Sequence, residues 1–153
     1  MSIDQRLQEL GIILPAAAAP VASYVPVVVQ GDLAYVSGQI SFVEGELVKG
    51  RLGDDVSLEE GMAAARGCGL MILAQLKAAL GSLDRVERVV KLGGFVNSTP
   101  DFTDQPKVIN GASDLMLEVF GEAGKHARAA VGVPALPLGV AVEVDAVVAI
   151  KAA

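Results

Sequence analysis

The sequence predicts an α+β fold in which two long helices cover one face of a mixed β-sheet. Three features lead to this prediction: paired runs of β-branched residues, two long segments with apolar residues at helical spacing, and a final strand that alternates strictly. The predicted order is strand, strand, short strand, helix, strand, helix, strand, strand. Packing both helices on one face buries their apolar stripes and leaves the other sheet face open.

The start of the chain is predicted to be a short helix followed by an ordered arm. Ile3, Leu7 and Leu10 recur at helical spacing, and Gly11 follows as a stop signal. Residues 14–22 are mostly Ala and Pro and show no period. Because no break in composition divides the chain, we interpret residues 1–153 as a single domain, of which residues 1–22 are the N-terminal helix and arm.

The strands are predicted from β-branched residues bounded by turn residues. Residues 24–29 and 33–42 form a predicted hairpin, because Gln30-Gly31-Asp32 between them has the composition of a turn. The remaining predicted strands are 47–49, 86–96, 127–133 and 140–150. The last two are joined by residues 134–137, and we interpret them as a second hairpin.

Two segments are predicted to be the long helices. The first begins at a capping box, in which Ser57 caps the helix and Glu60 reaches back, and Gly81 ends it. The second has apolar residues at steps of three and four up to Phe120 and ends at Gly121.

The composition indicates a protein that assembles through its sheet. Hydrophobic residues make up 52% of the 153 residues and aromatic residues only 4%, so aliphatic side chains must build the core. One domain of this size hides so much apolar surface with difficulty. Residues 25–29 and 141–149 place apolar side chains on the open sheet face as well, and a symmetric ring of sheets is the simplest way to cover them.

Charge and cysteine content narrow the possible partners. The net charge is −6, and the 12 Lys and Arg residues are scattered, which disfavours nucleic acid and anionic membranes and favours a small molecule. No apolar stretch reaches the length of a membrane span and no leader pattern is visible, so we expect a cytoplasmic protein.

The single cysteine and the single histidine do not by themselves indicate a reactive site. The one cysteine, Cys68, excludes an internal disulfide and is interpreted as a small packing residue. For His126, the sole histidine, a surface role is favoured over a place at the edge of the cleft. Because His, Cys and acidic residues show no ligand spacing, we predict no metal site, and no glycine-rich phosphate-binding motif indicates a nucleotide cofactor.

The last predicted strand contains the most informative residues. Glu143 and Asp145 lie on the same face, roughly 7 Å apart. If residues 127–133 and 140–150 form a hairpin, Arg128 lies beside Glu143. Two interpretations stay open: a structural ion pair, or an arginine that binds an acidic ligand while Glu143 handles a water molecule.

Several motifs resemble those of the RidA/YjgF family in order and spacing. They span residues 24–150 and are Tyr24, Val36-Ser37-Gly38-Gln39-Ile40, Arg128, Leu136-Pro137 and Val142-Glu143-Val144. The resemblance implies a chorismate-mutase-like fold and a homotrimer whose sheets form a barrel, with three clefts between subunits. It is closest to the longer branch of the family, which carries an extra N-terminal helix.

The resemblance also implies an activity. Active members of the family are cofactor-free deaminases that hydrolyse reactive 2-enamine and 2-imine acids to 2-keto acids and ammonia. By position, Arg128 would bind the substrate carboxylate and Glu143 would activate the water. The residues that would line the cleft are Tyr24, Ser37, Gly38 and Asn110.

One departure from the family pattern keeps other functions open. Ala129 and Ala130 follow the arginine where family members often have Ser or Thr and then Cys, so the pocket has lost a hydroxyl and a thiol. The first alternative is a sensor or chaperone-like protein that binds a small carboxylate without turnover. The second is a ribonuclease or translation inhibitor, a label that some relatives carry, which the acidic charge disfavours.

Overall fold

The computed structural model describes residues 1–19 and 23–153 and confirms the predicted α+β class. Residues 20–22 of the predicted arm lie outside the described residues. The elements are α1 (Ile3–Glu9), β1 (Val27–Gln30), β2 (Leu33–Ile40), β3 (Phe42–Val43), β4 (Glu46–Leu47), α2 (Leu58–Leu80), β5 (Val86–Asn97), α3 (Gln105–Phe120), β6 (Ala127–Val133) and β7 (Val142–Ile150). Five strands form one sheet in the order β1-β2-β7-β5-β6, and β3 pairs with β4 separately.

The long helix α2 begins where its capping box predicts. The backbone N–H of Glu60 donates to Oγ of Ser57 at 3.1 Å, and the backbone N–H of Ser57 donates to Oε1 of Glu60 at 3.0 Å. By length and composition α2 could cross a membrane, but 67% of its most apolar 18-residue window is buried inside the protein. This burial is what the core helix of a sheet-and-helix fold requires.

Helices α2 and α3 approach each other closely at Gly111. A Cβ atom at this position of α3 would lie against the carbonyl oxygen of Met62 in α2. At Gly69, the corresponding contact is with Cδ2 of Leu115 at 2.9 Å, the far end of a flexible side chain. The backbone contact at Gly111 therefore sets how near the two helices can lie.

Strand β7 divides its side chains between the core and the open sheet face. Its buried residues are Val142, Val144, Ala146, Val148 and Ile150. The intervening Glu143 and Asp145 are half-buried on the other face, as the alternation predicts. That face also exposes large apolar side chains: Tyr35 and Val131 are each 45% exposed and Val28 is 49% exposed.

The predicted hairpin between β6 and β7 is wrong. Strand β5 lies between them, so Arg128 is opposite Leu92, and Leu92 is opposite Ala146. Arg128 and Glu143 are therefore two strands apart, about 10 Å across the sheet. They also lie on opposite faces, because Arg128 reaches α3 whereas Glu143 lies on the open face.

The reason for this difference is the connection through α3. It joins β5 to β6 as a crossover, and such a connection makes the two strands parallel neighbours. Residues 134–141 then carry the chain past the end of β5 to its other side. Asn97 holds this crossing, because its Nδ2 donates to the carbonyl oxygen of Val140 at 3.1 Å.

Candidate functional site

The structure brings four of the predicted site residues to one cleft of about 590 Å³. We call this the acid cleft and define it by Tyr24, Ser37, Gly38 and Glu143. Tyr24 precedes β1, and Glu143 is the second residue of β7, beside β2. Ser37 and Gly38 lie in β2 where its register with β7 shifts between Val36 and Gln39. The irregular pairing of β2 with β7 thus lies at the cleft.

Local contacts fix the walls of the acid cleft. Ser37 holds the segment before β1: its Oγ donates to the carbonyl oxygen of Val25 at 2.8 Å, and its backbone N–H donates to that of Pro26 at 2.9 Å. A Cβ atom at Gly38 would collide with the carboxyl group of Glu143. Glycine at position 38 therefore gives the Glu143 side chain room to lie over β2.

Both acids of β7 have a pKa raised above its ordinary value. Burial raises the pKa of Glu143, and the nearby Asp145 raises it further. Burial also raises the pKa of Asp145, whereas a hydrogen bond from the backbone of Gly93 and the charge of Lys91 lower it. A carboxyl group whose pKa is raised accepts and returns a proton more readily near neutral pH, which suits general acid–base work.

Arg128 and Asn110 lie together elsewhere, in what we call the arginine cluster, defined by Arg128, Asn110, Ser113 and His126. Nη1 of Arg128 donates to Oδ1 of Asn110 at 2.8 Å and to Oγ of Ser113 at 3.1 Å. Nε2 of His126 lies 2.8 Å from Oγ of Ser113. Arg128 and His126 are half-buried and Ser113 is buried.

Two members of this cluster differ from the sequence prediction. The surface role given to His126 is wrong, because both of its ring nitrogens make hydrogen bonds within the protein. Ser113 was not predicted as a site residue. Its spacing of three from Asn110 places both on one face of α3, and this is the signal that could have pointed to it.

Cys68 is a packing residue, as predicted. It is fully buried, and its Sγ donates to the carbonyl oxygen of Val142 at 3.5 Å. Burial and the nearby Glu143 raise the pKa of its thiol far above the usual range. A thiol in this state is a poor nucleophile.

A larger groove of about 730 Å³ adjoins the acid cleft and shares Ala18, Phe42 and Met71 with it. Its lining is mostly apolar. Its one basic residue, Arg66, is paired with Glu118 at 3.2 Å. The acid cleft is the stronger candidate for chemistry because it contains Glu143 with its raised pKa.

The chain resembles known proteins over nearly its whole length. A family described as "YjgF/chorismate mutase-like, putative endoribonuclease" matches residues 4–149. Protein TCP17 of Trypanosoma cruzi is 58% identical over 148 residues, covering 95% of this chain and 92% of that protein.

Two solved structures share the fold closely. The crystal structure of Atu1372, a protein of unknown function from Agrobacterium tumefaciens, has 50% identity and a TM-score of 0.90, covering 97% of this chain and 92% of that one. A structure from Shewanella oneidensis, which carries the same endoribonuclease description, has 37% identity and a TM-score of 0.93, covering 98% and 100%.

Proposed function

Because the chain belongs to the YjgF/chorismate mutase-like family, also called RidA/YjgF, we propose that it is a cofactor-free hydrolase of reactive 2-imino and 2-enamino acids. The products are 2-keto acids and ammonia. The reaction takes place in clefts between the protomers of a cytoplasmic homotrimer, where the acid cleft of one protomer meets the arginine cluster of the next.

One observation carries this proposal: the two groups that the reaction needs lie in separate half-sites. Within the described residues, the lining of the acid cleft contains Glu143 but no Lys or Arg that could hold a carboxylate. The arginine cluster contains Arg128, but none of its members is an acid. Each half-site supplies what the other lacks, so a second copy of the chain can complete both.

The positions of the half-sites support assembly in a ring. The acid cleft lies near the β1–β2 edge of the sheet, and Arg128 lies in β6 at the opposite edge. A rotation that brings the β6 edge of one protomer to the β1–β2 edge of the next repeats until the ring closes. The exposed apolar side chains of the open face are then covered.

The chemistry requires positioning and a proton acceptor. The guanidinium of Arg128 binds the substrate carboxylate and places the imine carbon beside Glu143 of the neighbouring protomer. The Glu143 carboxylate takes a proton from water while the water oxygen bonds to the carbon of the protonated imine, and the C=N electron pair returns to nitrogen to give a carbinolamine. Glu143 then gives this proton to the amine nitrogen. Glu143 next takes the hydroxyl proton as the C=O bond forms, the C–N bond breaks and ammonia leaves, and the last proton passes to solvent. General base help of this kind contributes about 10²–10⁴-fold.

Mixing two inactive variants tests whether the site is shared. Arg128→Ala and Glu143→Gln are each expected to lower the turnover of 2-iminobutyrate, which a dehydratase supplies, to about a hundredth of the parent's or less. If equal amounts are unfolded together and refolded, about a quarter of the clefts should combine an intact arginine with an intact glutamate. The measurement is keto acid release, and each variant refolded alone is the control. A mixture as inactive as its parts would contradict a site between protomers.

The pH profile tests the role of Glu143 as the base. Glu143 must be ionised to accept a proton, so the rate falls as the pH drops through its pKa. Asp145→Asn removes the negative charge that raises this pKa, and the acid limb of kcat should therefore move to lower pH. Asp114→Asn, an exposed acid on α3, is the matched control and should leave the limb unchanged. An unmoved limb in Asp145→Asn would argue against Glu143.

The same purified protein can be tested for the two alternative functions, carboxylate sensing and RNA cleavage. A carboxylate sensor would bind pyruvate or 2-ketobutyrate in a thermal shift assay and would not accelerate imine hydrolysis. Because relatives are described as endoribonucleases, the protein is also incubated with RNA, and Arg128→Ala is the control. RNA cleavage that falls with salt and is lost in this variant would favour that alternative.

A further inference from the structure

A chain of hydrogen bonds connects Arg128 to the turn that precedes its strand. Beyond the bonds from Arg128 to Asn110 and Ser113, Nδ1 of His126 lies 2.7 Å from the carbonyl oxygen of Gly124. We propose that Ser113 and His126 are positioning residues that hold the guanidinium of Arg128, so that a ligand carboxylate is bound side-on by Nε and Nη2. This inference rests on the proposed function, in which Arg128 binds the substrate carboxylate.

The direction of each hydrogen bond follows from the groups involved. A carbonyl oxygen can only accept, so Nδ1 of His126 carries the proton that it shares with Gly124. In the neutral ring Nε2 is then an acceptor, and the hydroxyl of Ser113 donates to it. A hydroxyl has one proton, so Oγ of Ser113 meets Arg128 with a lone pair. All three hydrogen bonds therefore run in one direction: Arg128 donates to Ser113, Ser113 donates to His126, and His126 donates to Gly124.

Without His126, the Ser113 hydroxyl has another partner. A serine within a helix commonly donates to the carbonyl oxygen four residues earlier, here that of Ile109. The histidine competes for this proton and keeps the hydroxyl turned toward the sheet. Because Ser113 is only 8% exposed, water competes little for its lone pairs.

The bonds to α3 determine which edge of the guanidinium faces a ligand. Both hydrogen bonds that the Arg128 side chain makes to α3 use Nη1, which has two protons. Within the described residues, Nε and Nη2 make no hydrogen bond to the protein. These two nitrogens form the parallel fork that binds both oxygens of a carboxylate. Holding Nη1 fixes the plane of this fork before the ligand arrives, which reduces the ordering cost of binding.

The turn that contains Gly124 packs closely against α3. A Cβ atom there would collide with the carbonyl oxygen of Met116 in α3, so the turn packs tightly against the helix. This packing places the Gly124 carbonyl where His126 donates to it. The turn, the histidine and the helix thus form one unit that supports Arg128.

The guanidinium itself can be observed without any ligand. Nitrogen NMR of the six arginines should show slow rotation of Nη1 for one of them, whose signals disappear in Arg128→Lys. Ser113→Ala and His126→Leu are expected to release this rotation. His126→Gln, which retains an acceptor for the Ser113 hydroxyl, should preserve more of it, and Asp114→Ala is the matched control on the exposed face of α3. Free rotation in the unsubstituted protein, or restricted rotation that persists in Ser113→Ala, would overturn the inference.

Kinetics then show whether the restraint serves binding. Ser113→Ala and His126→Leu should raise KM by about tenfold and change kcat by less than about twofold, the pattern of lost binding energy. Thermal unfolding reports separately on any loss of stability. An unchanged KM in both variants contradicts the inference even if the unsubstituted enzyme is active. If the unsubstituted protein turns over no imine, the proposed function fails, and the NMR result still decides the positioning role.

Discussion

Replacing Arg128 by alanine is expected to lower kcat/KM for 2-iminobutyrate by about 100-fold or more. Two charge-assisted hydrogen bonds to a carboxylate contribute roughly 3 kcal/mol together, and each 1.4 kcal/mol corresponds to about tenfold in rate. Arg128→Lys should retain the charge but lose the planar fork, so its activity should lie between that of Arg128→Ala and that of the parent. The measurement is the initial rate of keto acid release at several substrate concentrations.

The control for this experiment is another arginine of similar exposure. Arg66→Ala removes a guanidinium whose side chain is 38% exposed and which pairs with Glu118. Exposed pairs of this kind contribute about 0–1 kcal/mol, so the rate should change little. If Arg128→Ala retained the parent's kcat/KM in a folded protein, the carboxylate would have to be bound elsewhere.

Replacing Gly111 by alanine is expected to lower the free energy of unfolding by about 3 kcal/mol. The added methyl group would meet the backbone of Met62, which cannot rotate away, so α2 and α3 must move apart. For a chain of this length the loss corresponds to a Tm lower by about 6–12 °C. The measurement is thermal unfolding at a fixed protein concentration, because the proposed assembly would make the Tm depend on concentration.

Gly69→Ala is the matched comparison for Gly111→Ala. It is also a glycine inside a helix, but its nearest obstacle is a methyl group of Leu115 that can turn aside. Alanine is favoured over glycine in helices by about 1 kcal/mol, so this variant should be neutral or slightly stabilised. Equal Tm values for the two variants would mean that the helices are not held together at Gly111.

Local signals predicted the helices and strands well. The capping box at Ser57 and Glu60 located the start of α2, because its two hydrogen bonds form between residues three apart. The alternation in β7 placed Glu143 and Asp145 on one face, since side-chain direction in a strand depends only on residue parity. These features depend on neighbours in sequence, so a single sequence contains them.

The order of the strands could not be predicted in the same way. Residues 127–133 and 140–150 are close in sequence, and a hairpin was the simplest interpretation. The insertion of β5 between them depends on the crossover through α3, a contact between distant segments. The pairing of Ser113 with His126 was missed for the same reason, because it depends on how the turn at residues 121–124 packs on the helix.

The composition of the two edge strands affects how readily the newly made chain aggregates. Within the described residues, β1 and β6 each pair with one strand, so each presents backbone groups that can accept a further strand. Their sequences, Val-Val-Val-Gln and Ala-Arg-Ala-Ala-Val-Gly-Val, hold one charge between them. Bare edges of this composition promote amyloid-like stacking, and charged residues oppose it. Apart from its proposed role in binding a carboxylate, Arg128 is therefore the one charge that opposes such stacking at these two edges, and Arg128→Ala should promote aggregation of chains whose edges are uncovered.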